Sequence, residues 1–177
     1  MSTIYIERST GDCRSGDWVE KIDFTESPRR IVVGTGPGSF AGIRSALAFA
    51  QGYAIGSGCE VLGLPSACAL AEDSRKIAIV GDARRGMFWV ALFDSYAQIG
   101  DIFQVGRDGL FDAVPESFVV VTPDAARIDL LLAEIFGDRY KGGRTPDEKG
   151  LRAFAEANPG ALRSEPLPIY LNPAVRD

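Results

Sequence analysis

The chain has 177 residues, of which 46% are hydrophobic and 24% are charged, and its formal net charge is -5. This length fits one domain or two small lobes, and the composition is that of an ordinary globular protein rather than a disordered one. The negative charge disfavours tight non-specific nucleic-acid binding, and the absence of histidine excludes Ser-His-Asp, Cys-His and His-ligated zinc chemistry.

Cysteine usage and hydropathy indicate a cytoplasmic protein. The chain has three cysteines, Cys13, Cys59 and Cys68. Their odd number and irregular spacing disfavour a disulfide scaffold and a zinc site. The sequence has neither a signal-peptide pattern nor a run of 18 apolar residues, so we expect no contact with a membrane. We predict no metal ligands and no catalytic residues.

The first half of the chain predicts short strands around one long helix. In chain order, we predict strands at residues 3–7, 18–24, 31–33 and 60–64, and helices at residues 41–55 and 67–73. Ser39 is the predicted N-cap of the first helix, and Gly56 and Gly58 end it. Ser66 is the predicted cap of the second helix.

The second half combines hairpins with strand–helix–strand crossovers. In chain order, we predict strands at residues 76–81, 87–94, 102–105 and 117–122, a helix at residues 128–136, and a last helix from Pro146 to about residue 157. Asp82-Ala83-Arg84-Arg85-Gly86 is predicted to be a five-residue hairpin turn. These patterns predict a mixed α/β fold with some antiparallel pairs rather than a purely doubly wound sheet.

A glycine-rich loop precedes the long helix, and its chemistry is open. A phosphate-binding P-loop requires Lys-Ser or Lys-Thr after the last glycine, whereas Ile43-Arg44 follows Gly42. Gly36-Pro37-Gly38-Ser39-Phe40-Ala41 fits the dinucleotide pattern, and Glu60 stands about twenty residues further on. Against this, Glu60 begins a strand instead of ending one, and Pro37 lacks an N–H group. The other interpretation is that the glycines only allow helix and strand to pack closely.

The helix after this loop is apolar nearly all round. Between Ile43 and Ile55 the only polar side chains are Arg44, Ser45, Gln51 and the Tyr53 hydroxyl. Such a helix is either fully buried, or has one face on its own sheet and another on a partner helix. We favour the second interpretation because the chain offers few other helices to cover it. The predicted partner-binding residues are Ile43, Ala46, Leu47, Ala50, Tyr53 and Ala54.

Three other groups of residues are candidates. Asp82, Arg84 and Arg85 form either an exposed functional turn or a solvated hairpin in which Asp82 satisfies turn N–H groups. A small basic loop with Arg139, Lys141 and Arg144 is a weaker candidate for an RNA contact. Trp18 and Trp89 are predicted to lie in the core, and Asp12, Asp17, Asp23 and Glu26 on the solvated surface.

Several motifs in order resemble one family. Gly36-Pro37-Gly38-Ser39-Phe40-Ala41-Gly42-Ile43-Arg44 resembles the signature G-P-G-S-F-T-G-L-R of the TsaB (YeaZ) family. Four further segments are similar to motifs of that family: Gln51-Gly52-Tyr53-Ala54, Leu62-Gly63-Leu64-Pro65-Ser66-Ala67, Asp82-Ala83-Arg84-Arg85-Gly86 and the tail Pro168-Ile169-Tyr170-Leu171-Asn172-Pro173. The resemblance covers about residues 31–94 and this tail.

The resemblance implies an actin-like ATPase fold built from ribonuclease-H-like lobes. It also implies a non-catalytic subunit of the machinery that adds threonylcarbamoyl to an adenosine of tRNA. The implied partners are a TsaD-like catalytic subunit, which holds ATP and magnesium, and a TsaE-like ATPase; without them the chain forms a homodimer. The implied contact with tRNA is indirect, and the chain has no cofactor of its own. The family's older peptidase label conflicts with the absence of histidine.

The chain departs from the family pattern near its start. Glu7-Arg8-Ser9-Thr10 stands where the family has D-T-S, and the family's first long helix is not found before the glycine loop. We therefore expect a shortened first lobe at residues 1–75 and a second lobe at residues 76–177. Two alternatives stay open: a nucleotide-binding enzyme of the actin-like class, with Glu7 partly replacing a magnesium-binding Asp, and a degenerate homologue outside the pathway.

Overall fold

A computed structural model describes residues 2–10 and 27–171 of the chain. These residues form two compact units, one made of residues up to Ala69 together with Pro146–Ile169 and the other made mainly of Leu70–Thr145. The predicted lobes divide the chain once, after residue 75, whereas Pro146–Ile169 in fact returns to the first unit. The predicted strand at residues 18–24, Trp18, and the last two residues of the tail motif lie outside the described residues.

The secondary structure follows the mixed pattern expected from the sequence. In chain order the elements are β1 (Thr3–Ile6), β2 (Arg30–Gly34), α1 (Phe40–Ser57), β3 (Glu60–Leu64), β4 (Lys76–Arg84), β5 (Met87–Asp94), β6 (Ala97–Gly106), α2 (Arg107–Leu110), β7 (Val119–Thr122), α3 (Ala125–Phe136), β8 (Tyr140–Gly143), α4 (Glu148–Ala157) and β9 (Arg163–Ser164). Short 3-10 turns occur at Ser66–Leu70, Gly137–Arg139 and Pro159–Ala161.

Within the described residues, the first unit contains a four-stranded sheet in the order β1-β2-β3-β9. The first three strands are parallel, and β9 is antiparallel to β3. Parallel neighbours need a crossover, and α1 supplies it between β2 and β3. The core joins the sheet residues Ile6, Ile31 and Val33 to the α1 residues Ile43, Ala46, Leu47 and Ala50. One face of α1 is therefore buried on its own sheet.

The ends of α1 are close to the prediction. The Ser39 hydroxyl accepts a hydrogen bond from the Gly42 N–H, as expected of an N-cap. Gly58 adopts a left-handed conformation, φ 71°, and donates its N–H to the Ala54 carbonyl oxygen. A left-handed residue just past a helix is most easily a glycine, so Gly58 ends the helix.

The second unit is a five-stranded mixed sheet in the order β6-β5-β4-β7-β8. The strands β4, β5 and β6 form an antiparallel meander, whereas β7 and β8 join β4 by parallel pairing. Helix α3 packs Ile128, Leu132 and Phe136 into the core of this unit. Trp89 is buried, as predicted, and its ring lies over Gly81, where any Cβ would collide with it.

Some predicted elements are wrong in extent. The second helix is only the 3-10 turn Ser66–Leu70, because the Ser66 hydroxyl accepts the Gly36 N–H at 2.9 Å instead of capping a helix. Strand β4 continues to Arg84, which shortens the hairpin turn. The last helix begins at Glu148 with Asp147 as its N-cap, so Pro146 precedes it. The elements α2, β8 and β9 were not predicted. No helix in the described part of the chain has the length and hydropathy needed to cross a membrane.

Candidate functional site

The glycine loop lies where β2 ends, and its glycines make room for the chain's own atoms. Gly36 has φ 95°, and a Cβ there would come within 2.7 Å of the Ile43 side chain. A Cβ on Gly38 would overlap the Ser9 carbonyl oxygen, and one on Gly34 would overlap the Glu7 carboxyl group. The space beside these glycines is therefore occupied by two residues that follow β1, Glu7 and Ser9, and by Ile43 of α1. This geometry favours the packing interpretation of the loop.

The N–H groups of the loop are also largely used inside the first unit. Thr35 donates to the Leu64 carbonyl at 2.8 Å, Gly36 donates to the Ser66 hydroxyl, and Ser39 donates to the Ser9 carbonyl. At a helix N-terminus, free N–H groups are what bind an anion. With these three donors paired and Pro37 having none, the described geometry gives a phosphate group fewer donors than such a loop usually offers.

A buried carboxyl group lies behind the loop. Glu7 Oε1 accepts the Ser9 N–H at 2.6 Å, whereas Glu7 Oε2 and Ser9 Oγ are buried without a hydrogen-bond partner among the described residues. Burial raises the pKa of Glu7, which favours the neutral acid. Magnesium needs several oxygen ligands, and the described residues contain no cluster of three or more Asp, Glu, Cys or His side chains. In the described part of the chain, Glu7 is thus a buried acid outside any cluster of metal-ligating side chains.

The structure corrects the predicted partner face of α1. Ile43, Ala46, Leu47 and Ala50 are buried against the sheet of the first unit, and Ala46 and Ala50 are 0% exposed. Tyr53 and Ala54 are half-buried. The four buried residues and Tyr53 pack the helix on its own sheet, so they are not available to a partner in this arrangement.

The opposite side of α1 is open, and we call it the outer face. It consists of Phe40, Arg44, Ala48, Gln51, Gly52 and Ile55. Phe40 is 57% exposed and Ile55 is 89% exposed, and the Arg44 guanidinium lies 4.9 Å above the Phe40 ring. A Cβ on Gly52 would meet no described atom within 4 Å. The outer face therefore carries two large apolar side chains around a shallow centre.

The predicted functional turn is built on a network of charges in the second unit. Asp82 Oδ2 lies 2.7 Å from Arg127 Nε and 3.4 Å from an Arg84 nitrogen, and Asp82 Oδ1 accepts the Arg84 N–H. The Asp82 N–H donates to Asp124 Oδ2 at 2.9 Å, and Asp124 also pairs with Arg127. Burial raises the pKa of Asp124, which the hydrogen bond from Asp82 opposes. Asp82 thus braces the turn, as the solvated-hairpin interpretation expected, while Arg84 and Arg85 are exposed.

Comparison with known proteins gives the family. Residues 20–141 match the model of the family described as TsaD, tRNA N6-adenosine threonylcarbamoyltransferase. The chain belongs to the TsaD family. The match covers more than half of the chain, and the family's description is a tRNA modification activity. No curated protein matches this sequence.

The fold of this TsaD-family chain is also that of solved YeaZ structures. It is similar to "YeaZ from Pseudomonas aeruginosa" with a TM-score of 0.64 and 19% sequence identity, over 81% of this chain and 74% of that chain. It is also similar to an uncharacterized protein with similarity to peptidase YEAZ from Pseudomonas aeruginosa, with a TM-score of 0.62, 19% identity, and 82% and 74% coverage. The predicted actin-like fold and the resemblance to TsaB (YeaZ) are confirmed.

The small basic loop of this TsaD-family chain is used internally. Arg139 donates to the carbonyl oxygens of Val114, Pro115 and Phe118, and its guanidinium stacks on the rings of Phe111 and Phe136. Two other basic side chains are also engaged, since Lys141 donates to the Asp138 carbonyl and Arg144 pairs with Glu72. An RNA contact at this loop therefore has no support.

Two residues of the turn network were missed by the sequence analysis. Asp124 and Arg127 reach Asp82 only because β7 pairs with β4 in parallel, which brings the start of α3 beside the end of β4. The residues are more than forty positions apart in the chain, and no local motif signals the contact. The sequence offers one hint, which is that the acidic residue Asp124 lies shortly before the predicted helix at residues 128–136.

Proposed function

We propose that this chain is a non-catalytic, TsaB-like subunit of the cytoplasmic complex that adds threonylcarbamoyl to an adenosine of tRNA. It binds a TsaD-like catalytic subunit through the outer face of α1 and forms a homodimer through the same face when alone. ATP and magnesium act at the TsaD-like subunit, and a TsaE-like ATPase completes the complex. Family membership supports the tRNA modification role, and the outer face supports the role of partner subunit.

The outer face is the observation that carries this proposal. One side of α1 is packed on its own sheet, yet the other side exposes Phe40 and Ile55 to solvent. A helix face that is exposed and mainly apolar along its length is typical of a protein–protein contact. Ala48 and Gly52 lie between them, and small residues allow a second helix to approach closely. This face fits the contact with a TsaD-like subunit that the TsaB resemblance implies.

The state of the glycine loop supports a subunit without nucleotide chemistry of its own. The N–H groups of Thr35, Gly36 and Ser39 are paired within the unit, and the loop's glycines accommodate Glu7, Ser9 and Ile43. Because the chain's own side chains pack against the loop, the loop holds α1 in a fixed orientation relative to β2. The outer face of α1 therefore has a fixed orientation as well.

Replacing Ile55 by arginine tests the interface. Ile55→Arg puts a charge into an apolar contact, and we expect at least a tenfold weaker association with the TsaD-like protein, equivalent to about 1.4 kcal/mol or more. Size-exclusion chromatography with light scattering measures the complex. The matched control is Leu130→Arg on α3, because Leu130 is also a highly exposed aliphatic side chain on a helix, 85% exposed. Equal association of both variants would contradict the proposed interface.

Nucleotide binding at the loop is the second candidate function. The observation in its favour is that Glu7 Oε2 and Ser9 Oγ, beside the loop, are buried without a hydrogen-bond partner among the residues that the structure describes. Calorimetry with ATP and magnesium separates the two functions, and we expect no measurable binding. Gly38→Val is unsuitable as a test because any Cβ there overlaps Ser9. Micromolar binding to the unmodified chain that Glu7→Gln removes would support the nucleotide-binding enzyme instead.

The remaining alternative is a homologue that has lost its role in the pathway. Such a chain keeps the fold but loses its partner, so its gene fails to support growth of a bacterium depleted of TsaB. Complementation by the unmodified chain, and its loss with Ile55→Arg but not with Leu130→Arg, would support the proposed subunit.

A further inference from the structure

The tip of the β4–β5 hairpin has an unusual residue at its first position. β4 ends at Arg84 and β5 begins at Met87, so the loop is the two residues Arg85 and Gly86. Both have positive φ, 56° and 75°, as in the tight turns that suit antiparallel hairpins. Such turns strongly favour Asn-Gly or Asp-Gly, because a larger L-residue with positive φ costs about 1 kcal/mol or more. Arginine at position 85 is therefore an unfavourable residue for the backbone conformation that this turn requires.

The preceding residue repeats this pattern. Arg84 also has positive φ, 69°, and lies at an irregularity of the β4–β5 pairing between Asp82 and Arg84. Two consecutive arginines in left-handed conformations are more easily explained by what their side chains do than by the needs of the turn. The Asp82 carboxylate holds this backbone by accepting the Arg84 N–H at 2.8 Å.

The charges at the tip are directed outward. The two carboxylates of the network, Asp82 and Asp124, each have side chains that are only 15% exposed, whereas the Arg84 side chain is 64% exposed. Arg127 is shared between both carboxylates. Arg85 makes no ion pair or side-chain hydrogen bond within residues 2–10 and 27–171. The turn and its network thus contain three guanidinium groups, of Arg84, Arg85 and Arg127, and two carboxylates. The excess positive charge lies at the tip of the hairpin.

We propose that Arg84 and Arg85 at the tip of the β4–β5 hairpin bind the phosphodiester backbone of tRNA. Guanidinium groups are well suited to phosphate because their N–H groups pair with two oxygens at once. The inference rests on the proposed function, which brings tRNA to the complex, and it replaces the indirect association with tRNA by a direct contact. The contact is local, because the chain as a whole has a net charge of -5.

The test uses the complex of the full chain with its TsaD-like and TsaE-like partners and a fluorescein-labelled, unmodified tRNA transcript. Arg85→Asn creates the preferred Asn-Gly turn, so we expect the melting temperature to be unchanged or higher. The same variant removes one phosphate contact, so we expect tRNA to bind about five- to eightfold more weakly at 0.1 M salt, with the salt slope reduced by about 0.7–0.9. Fluorescence anisotropy at several salt concentrations measures both quantities.

Two comparisons complete the experiment. Adding Arg84→Gln to Arg85→Asn should weaken binding by a further factor of similar size, whereas Lys149→Gln, which removes one exposed charge from α4, should change it by less than about twofold. Unchanged tRNA affinity in a complex that assembles normally would overturn the contact and leave the proposed function standing. Weaker assembly with unchanged tRNA affinity would also overturn it, because the turn would then bind protein. Failure of the unmodified complex to form would overturn both.

Discussion

Replacing Ala50 by arginine is expected to unfold the first unit. Ala50 is fully buried between α1 and the sheet, in the cluster that contains Ile31 and Val33. Arginine there would bury an unpaired charge and overfill a packed core, which costs more than about 4 kcal/mol. Circular dichroism during heating should find no cooperative transition of the first unit. The loss of any complex in this variant would therefore follow from unfolding rather than from a damaged interface.

The matched control is the same substitution two residues earlier. Ala48 lies on the outer face and is exposed, so Ala48→Arg should change the free energy of unfolding by no more than about 0.5 kcal/mol. The folded variant should nevertheless fail to associate with the TsaD-like protein. If Ala48→Arg unfolds the unit as readily as Ala50→Arg, the assignment of the two faces is wrong.

Replacing Arg139 by methionine is expected to destabilise the second unit by about 2–4 kcal/mol. Each hydrogen bond from a charged donor contributes about 1.5–3 kcal/mol, and the sum is reduced here because the side chain is partly exposed to solvent. The Arg139 guanidinium bonds to three carbonyl oxygens in the segment from Val114 to Phe118 and stacks on the Phe136 ring. Methionine keeps an apolar stem of similar length but leaves those oxygens without a donor.

Urea unfolding followed by tryptophan fluorescence measures this loss. Trp89 is buried in the second unit, and a Trp18→Phe background leaves it as the single tryptophan. The control is Arg107→Met, because Arg107 is exposed and makes one ion pair with Glu134 at 3.6 Å. Exposed pairs contribute about 0–1 kcal/mol, so this variant should unfold near the parent midpoint. Equal midpoints for both variants would contradict the role given to Arg139.

The sequence predicts the long helix well but not its orientation. Ser39 and Gly58 mark its ends through local capping, which a sequence motif reports directly. Its buried face cannot be read in the same way, because alanines occupy both sides of the helix. Ala46 and Ala50 differ from Ala48 only in where the sheet lies. A helix without a polar face carries no periodic signal that identifies the core.

Long-range pairing explains the other differences. Ser66 has the residue type of a helix cap, but its hydroxyl bonds to Gly36, thirty residues earlier. The strand β9 is two residues long and exists because it pairs with β3. Asp82 and Asp124 meet through the neighbouring strands β4 and β7. In each case the deciding partner is distant in the chain, and local propensity has no access to it.

The division of the first unit between two chain segments has a consequence for biosynthesis. Leu70–Thr145 of the second unit is translated between β3 and the segment Pro146–Ile169, so the strand partner of β3 emerges after it. Chains emerge from the ribosome N-terminus first, and contacts of large sequence separation form slowly. The main part of the second unit is continuous from Leu70 to Thr145, and it can fold while β3 still presents an open sheet edge. A nascent chain halted before Pro146 would therefore expose that edge, and aggregation would begin there rather than in the meander.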